Sequence, residues 1–198
     1  MIIMANTCFT TYKCVSENPK DIKKLYKILH YMDKRKTPVV PNGWFNPKRW
    51  LGCLVKALGG DPKKIYCRGE ISDYELEDDV LTINTETAWG PMTEVFNFIK
   101  SIYPSLEIYY MAEENGNGVF ITNDAERRFF SDRYYLDSDG AIDEHYFETI
   151  EELAEVISEI VGHPVGETFK ECEKALEDHM EENPDKWYSL HEFQVCDD

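Results

Sequence analysis

Residues 68–104 read RGEISDYELEDDVLTINTETAWGPMTEVFNFIKSIYP. Arg68–Glu77, with Ile71, Tyr74 and Leu76, and Val80–Thr85, rich in β-branched residues, flank the turn signal Glu77-Asp78-Asp79 and are expected to be strands. Pro91 suits the first turn of a helix, and Met92, Val95, Phe96, Ile99 and Ile102 recur at helical spacing, so a helix with one apolar face follows. Pro104 ends it. The unit is therefore strand, turn, strand, helix.

On its N-terminal side, Cys8–Val15 has strand composition. Asn18 and Pro19 then supply a cap and a first helical residue, and Asp21 stands where a capping acid belongs. Ile22, Leu25, Leu29 and Met32 form the apolar stripe of that helix. Lys20, Lys23, Lys24, Lys27 and Lys34 fall within an arc of about 100° on the opposite side. Thr37–Phe45, with two prolines and a glycine, is expected to be loop. Asn46-Pro47 repeats the cap-then-proline signal, Trp50, Leu51, Leu54, Val55 and Leu58 make a second apolar face, and Gly59-Gly60 stops the helix.

On its C-terminal side, Leu106–Met111, Val119–Thr122, Arg128–Leu136 and Glu144–Phe147 are expected strands, joined by turns at Asn115-Gly116, Asn123-Asp124 and Asp139-Gly140. Two acidic helices follow. Thr149 and Glu152 form a capping box for the first, which closes at Gly162. The second spans about Glu167–Glu182, and Trp187–Val195 is a last strand or tail. The order predicts the α+β class, with a ferredoxin-like β-α-(α)-β-β-α-β core, extra antiparallel strands and C-terminal helices. The expected organisation is one α+β domain over residues 4–147, with residues 148–198 an acidic helical cap packed on it.

Charge is distributed unevenly. Up to Gly69 there are fourteen Lys and Arg against four Asp and Glu; from Glu70 onward there are seven against thirty-four. The net charge is −17. Such a chain presents two electrostatic faces, each suited to a different partner. Hydrophobic content of 42% supports a real core, and no apolar run approaches a membrane span. The six cysteines, Cys8, Cys14, Cys53, Cys67, Cys172 and Cys196, form no closely spaced pairs and the five histidines are scattered, so reduced thiols are expected and no metal or other cofactor is called for. The expected location is the cytoplasm, away from membranes.

Three segments resemble a known family. Met4-Ala5-Asn6-Thr7-Cys8 is similar to the opening of the YubB ferredoxin-like family. So are Thr87-Ala88-Trp89-Gly90-Pro91, followed by a helix and Tyr103-Pro104, and the strand Tyr110-Met111-Ala112-Glu113-Glu114. Gly90 stands where that family usually has Ser. The resemblance covers residues 4–125. It implies a ferredoxin-like fold and an origin on plasmids, conjugative elements or phages, and it carries no established activity.

The candidate binding residues are Lys20, Lys23, Lys24, Lys27, Arg49 and Arg68 on the basic side, with Trp89 and Glu113 beside the mouth of the helix after Pro91. The lysine row has the chemistry of a phosphate-binding face, and Tyr12, Trp44 and Phe45 are available for stacking. Trp89 is read as a plug over the core or as a stacking platform. Glu86, Glu113 and Glu114 would form a carboxylate site if they converge. Asp137–Ile142 resembles an EF-hand core without its bidentate clamp and is expected to be a turn. Glu167, Glu171, Asp178 and Glu182 repeat at helical spacing, a pattern able to imitate a phosphate backbone. No nucleophile elbow or phosphate loop is present. The expectation is a non-enzymatic accessory protein that contacts macromolecules through charged surfaces. Nucleic-acid binding and a carboxylate enzyme are the alternatives, and a protein partner or a second copy is a further possible contact.

Overall fold

A computed structural model describes residues 6–44, 46–138 and 145–196. The chain divides into two units, Met1–Asn123 and Asp124–Asp198. Both mix strands and helices.

The first unit contains β1 (Thr7–Ser16), α1 (Pro19–Lys34), α2 (Leu51–Ala57), β2 (Gly69–Glu77), β3 (Val80–Ala88), α3 (Thr93–Ile102), β4 (Leu106–Glu114) and β5 (Val119–Thr122). The strands lie in the order β2-β3-β1-β4-β5, and every neighbouring pair is antiparallel. Period-two alternation decides which side is wet. Cys8, Thr10, Tyr12 and Cys14 of β1 point inward, as do Leu81 and Ile83 of β3 and Leu106 and Ile108 of β4. They share one core with the buried stripes of the helices: Ile22, Leu25, Leu29 and Met32 of α1, Leu51, Leu54 and Val55 of α2, and Val95, Phe96 and Ile99 of α3. Each fully buried Leu, Ile, Val, Phe or Met side chain among them contributes about 1.5–3 kcal/mol. Tyr12, offered by the sequence as a surface stacking residue, is fully buried and stacks on Phe96 with ring centroids 3.4 Å apart.

Local signals explain the ends of the elements. Asn18 caps α1 by accepting the Lys20 N–H, and Pro19 fills the first turn. The β2–β3 turn places Asp78 and Asp79 at φ 47° and 62°, the left-handed pair that a two-residue hairpin turn needs. β3 runs to Ala88, beyond the expected Thr85, because β1 keeps pairing with it up to Thr7–Ala88. α2 starts at Leu51 rather than at Pro47. Trp50 is extended (ψ 131°) and bridges Glu70, and the Arg49 carbonyl accepts the Ile71 N–H at 2.9 Å, so tertiary pairing overrides the helical signal there.

The second unit has β6 (Tyr134–Ser138), β7 (His145–Phe147), α4 (Ile150–Val161), α5 (Phe169–Glu182) and β8 (Tyr188–Glu192), with its own sheet in the order β7-β6-β8. Leu136, Phe147, Leu153, Ile157, Cys172 and Leu176 form a separate core. The division at 123/124 therefore corrects the expected one at 147/148: β6 and β7 pair with β8 and share its core instead of widening the first sheet. Thr149 and Glu152 make both bonds of the capping box, and Gly162 closes α4 at φ 79°.

The expected strand Arg128–Leu136 shrinks to Tyr134–Ser138, because the segment before it wraps a buried aspartate. Asp124 Oδ1 accepts the Arg128 N–H at 2.9 Å, and Oδ2 accepts those of Phe129 and Phe130 at 2.7 and 2.9 Å. Burial alone would raise the Asp124 pKa, but these three N–H groups hold it below the ordinary value. The Asp139-Gly140 turn, and with it most of Asp137–Ile142, lies outside the described residues.

Candidate functional site

Lys20, Lys23, Lys24 and Lys27 of α1 are all exposed. Lys23 Nζ lies 3.3 Å from Asp79 Oδ1 at the hairpin turn, and Lys24 Nζ lies 2.8 Å from Asp21 Oδ1. Asp21 also accepts bonds from Asn18 and Ser105. The Lys24 hydrogen bond and the Ser105 hydroxyl hold its carboxyl below the ordinary value. Among the described residues, Lys20 and Lys27 have no carboxylate within ion-pair distance. Among the described residues, both carboxylates that engage the row come from the first unit.

Arg49 does not join this row. Its guanidinium forms two bonds to Asp33, at 3.0 and 2.8 Å, donates to the Ser72 carbonyl and lies over the Tyr74 ring. Tyr74 donates its hydroxyl to Asp33 Oδ2 at 3.0 Å. Burial works to raise the Asp33 pKa, but the bonds from Arg49 and Tyr74 hold it below the ordinary value. Burial, followed by the bond to Asp33, pushes Tyr74 up to about 12. Arg49 thus ties the C-terminal end of α1 to β2, and three of its five N–H donors are engaged inside the fold.

Arg68 remains exposed and lines an open groove of about 570 Å³ with Trp44, Trp50, Lys63, Lys64, Tyr66 and Glu94. Each wall is fixed by a polar contact. Trp50 donates its indole N–H to the Cys67 carbonyl at 2.9 Å. Glu94, in the first turn of α3, accepts the Tyr66 N–H at 2.9 Å. Asn42 donates to the Val40 and Pro47 carbonyls and accepts the Trp44 N–H at 3.1 Å, which shapes the proline-rich loop. Tyr66 is 51% exposed. Lys63, Lys64, Tyr66 and Trp50 belong to no site motif in the sequence. The sequence signal for them is one aromatic, Tyr66, flanked by the basic residues Lys63, Lys64 and Arg68 after the Gly59-Gly60 stop.

Trp89 is not a buried plug. It is 40% exposed and adopts φ 72°, a left-handed conformation that a non-glycine residue rarely takes. Its N–H donates to the Asn6 carbonyl at 3.0 Å, and the Thr87 hydroxyl donates to the Gly90 carbonyl at 2.7 Å, which together hold the turn. The preceding Ala88 N–H donates to the Arg68 carbonyl, so the turn sits directly beside the Arg68 backbone.

The three glutamates do not converge. Glu86 and Glu113 stand opposite Phe9 from β3 and β4, on the side of the sheet where Phe9 is 58% exposed. The pleat sends Glu114 the other way, where it is buried and accepts the Gly116 and Asn117 N–H groups. Among the described residues no group of three His, Cys, Asp or Glu side chains is placed to hold a metal ion. Five of the six cysteines are buried and all six are unpaired; burial pushes Cys14 up to about 12.

In the second unit, Glu171 accepts the Thr168 hydroxyl and Asp178 pairs with Lys174 at 3.0 Å, while Glu167 and Glu182 are exposed. The first unit carries fifteen Lys and Arg against fifteen Asp and Glu, and the second six against twenty-three, so the whole −17 belongs to residues 124–198. No helix among the described residues is long and apolar enough to cross a membrane.

No family model and no curated protein matches the chain. A solved structure described as the crystal structure of an unknown protein from Galdieria sulphuraria is similar at 11% identity over 94% of this chain and 98% of that one, with a TM-score of 0.27. A likeness of that size bears on neither fold identity nor function.

Proposed function

We propose that the chain is a non-enzymatic accessory binding protein whose first unit is a ferredoxin-like module that engages an anionic macromolecule through its basic surface. The ferredoxin-like reading is supported by the antiparallel order β2-β3-β1-β4, with α1 and α3 as the two crossovers. The three motifs similar to the YubB family support the same reading and, with it, an origin on a mobile element and a cytoplasmic setting. The observation that carries the binding role is the exposed α1 row, in which Lys20 and Lys27 face solvent without a carboxylate partner among the described residues. Nucleic acid is the polyanion that this row best suits, because unpaired ammonium groups at helical spacing release counterions on meeting phosphates. The −17 of the second unit opposes a polyanion, yet screening over about 8 Å at physiological salt lets a basic face act locally.

The test is binding of the full chain to labelled nucleic acid as salt is raised. Wild type is expected to bind at low salt and release as salt increases. Lys20→Glu with Lys27→Glu should weaken binding and lower the salt slope by about two. Absence of binding to single strands and duplexes at low salt overturns the proposal.

A further inference from the structure

We infer that the groove between Trp44, Tyr66 and Arg68 is a seat for unpaired nucleotides, with bases stacked on the aromatic rings and phosphates held by Lys63, Lys64 and Arg68. This rests on the reading that the first unit binds a nucleic acid, and it names the strand state that the unit selects. A cationic helix face alone does not distinguish a duplex from a single strand. The groove does, because aromatic faces can be used only by bases released from pairing and stacking. The three cations supply charge complementarity to the phosphates that link such bases. An acidic peptide would satisfy the cations but leave the exposed Tyr66 without a flat partner.

The groove is built before any ligand arrives. Trp50 is held by its bond to the Cys67 carbonyl, and its indole lies against Gly52, where a Cβ would overlap the ring. Tyr66 is pinned through its N–H by Glu94, which leaves half the residue exposed to solvent. Glu94, the one carboxylate in the lining among the described residues, is thus engaged in positioning a stacking residue. A volume of about 570 Å³ lies within the ordinary range of ligand sites, about 300–1,000 Å³.

The experiment measures fluorescence anisotropy of the full chain with three labelled oligonucleotides of one sequence: single-stranded DNA, single-stranded RNA and duplex DNA. Wild type is expected to bind at least one single strand more tightly than the duplex, and the two single-stranded arms distinguish DNA from RNA. Tyr66→Ala and Trp44→Ala should each weaken single-strand binding roughly five- to hundredfold and leave the duplex unaffected, while Tyr66→Phe retains wild-type affinity. Lys63→Glu with Arg68→Glu should weaken binding and reduce its salt dependence. Circular dichroism of each variant verifies its fold; Tyr66, half exposed, is the substitution least able to disturb it. Equal affinity for single strand and duplex, or a Tyr66→Ala protein that binds single strands as wild type does, overturns the groove while leaving the first unit a polyanion binder. Failure to bind any of the three overturns both.

Discussion

The indole of Trp50 occupies the space that a side chain at Gly52 would need. α2 can therefore begin one residue after a large aromatic whose N–H is fastened to the Cys67 carbonyl. Gly52→Ala should force the ring off that carbonyl and lower stability by about 1–3 kcal/mol, the usual cost of overpacking. Chemical unfolding followed by tryptophan fluorescence reads both effects, and an unchanged spectrum with unchanged stability would contradict the contact.

Trp89 stores backbone strain. Its φ of 72° costs a non-glycine residue about 1–2 kcal/mol, and β-branched residues suffer most there. Trp89→Gly should accordingly be more stable than Trp89→Val by about 1 kcal/mol or more, although valine offers more apolar surface. Thermal unfolding of the two variants decides the order.

Arg49 and Asp33 act as one unit with Tyr74. Both charged side chains are about one quarter exposed, so solvent screens them only in part. A double-mutant cycle with Arg49→Ala and Asp33→Ala should give a coupling of about 1–2 kcal/mol, above the range of fully exposed pairs. The pH dependence follows from the depressed Asp33 pKa. Its contribution is present above the unfolded carboxyl value, about 3.9, and is lost as pH falls through the lower folded value. Acid unfolding of Asp33→Asn should be correspondingly less steep.

Asp124 satisfies three backbone N–H groups at once. Asp124→Ala should leave buried donors unpaired, at about 1–3 kcal/mol for each group that water cannot reach. Asp124→Asn should not rescue the loss, because its amide replaces one acceptor with a donor. Amide hydrogen exchange at Phe129 and Phe130 is the direct measurement, and protection retained in Asp124→Ala would refute this account. Its folded pKa is depressed like that of Asp33, so its contribution also disappears as pH falls below about 4.

Much of the first unit was legible in local signals. Asn18-Pro19, Gly59, Asp78-Asp79 and Pro104 punctuate the chain for reasons contained within a few residues, and the stripes of α1 and α3 bury as their spacing requires. The departures from local signals have one common cause. Trp50 leaves the helix to bridge Glu70, β6 and β7 choose β8, and Asp124 gathers a segment that has strand composition. Each is settled by a partner remote in sequence or by a buried polar group, and periodicity carries no information about either.

The candidate site divides in the same way. That Lys20, Lys23, Lys24 and Lys27 share an exposed helix face was dictated by the sequence, because a 3.6-residue period assigns faces without reference to the rest of the molecule. Tertiary structure alone decided that Arg49 is consumed by Asp33, that Tyr12 is core, and that Trp44, Tyr66 and Arg68 line one groove. Periodicity orients a side chain within its own element, whereas its partners depend on where the chain returns, and that is determined by the packing of the whole core.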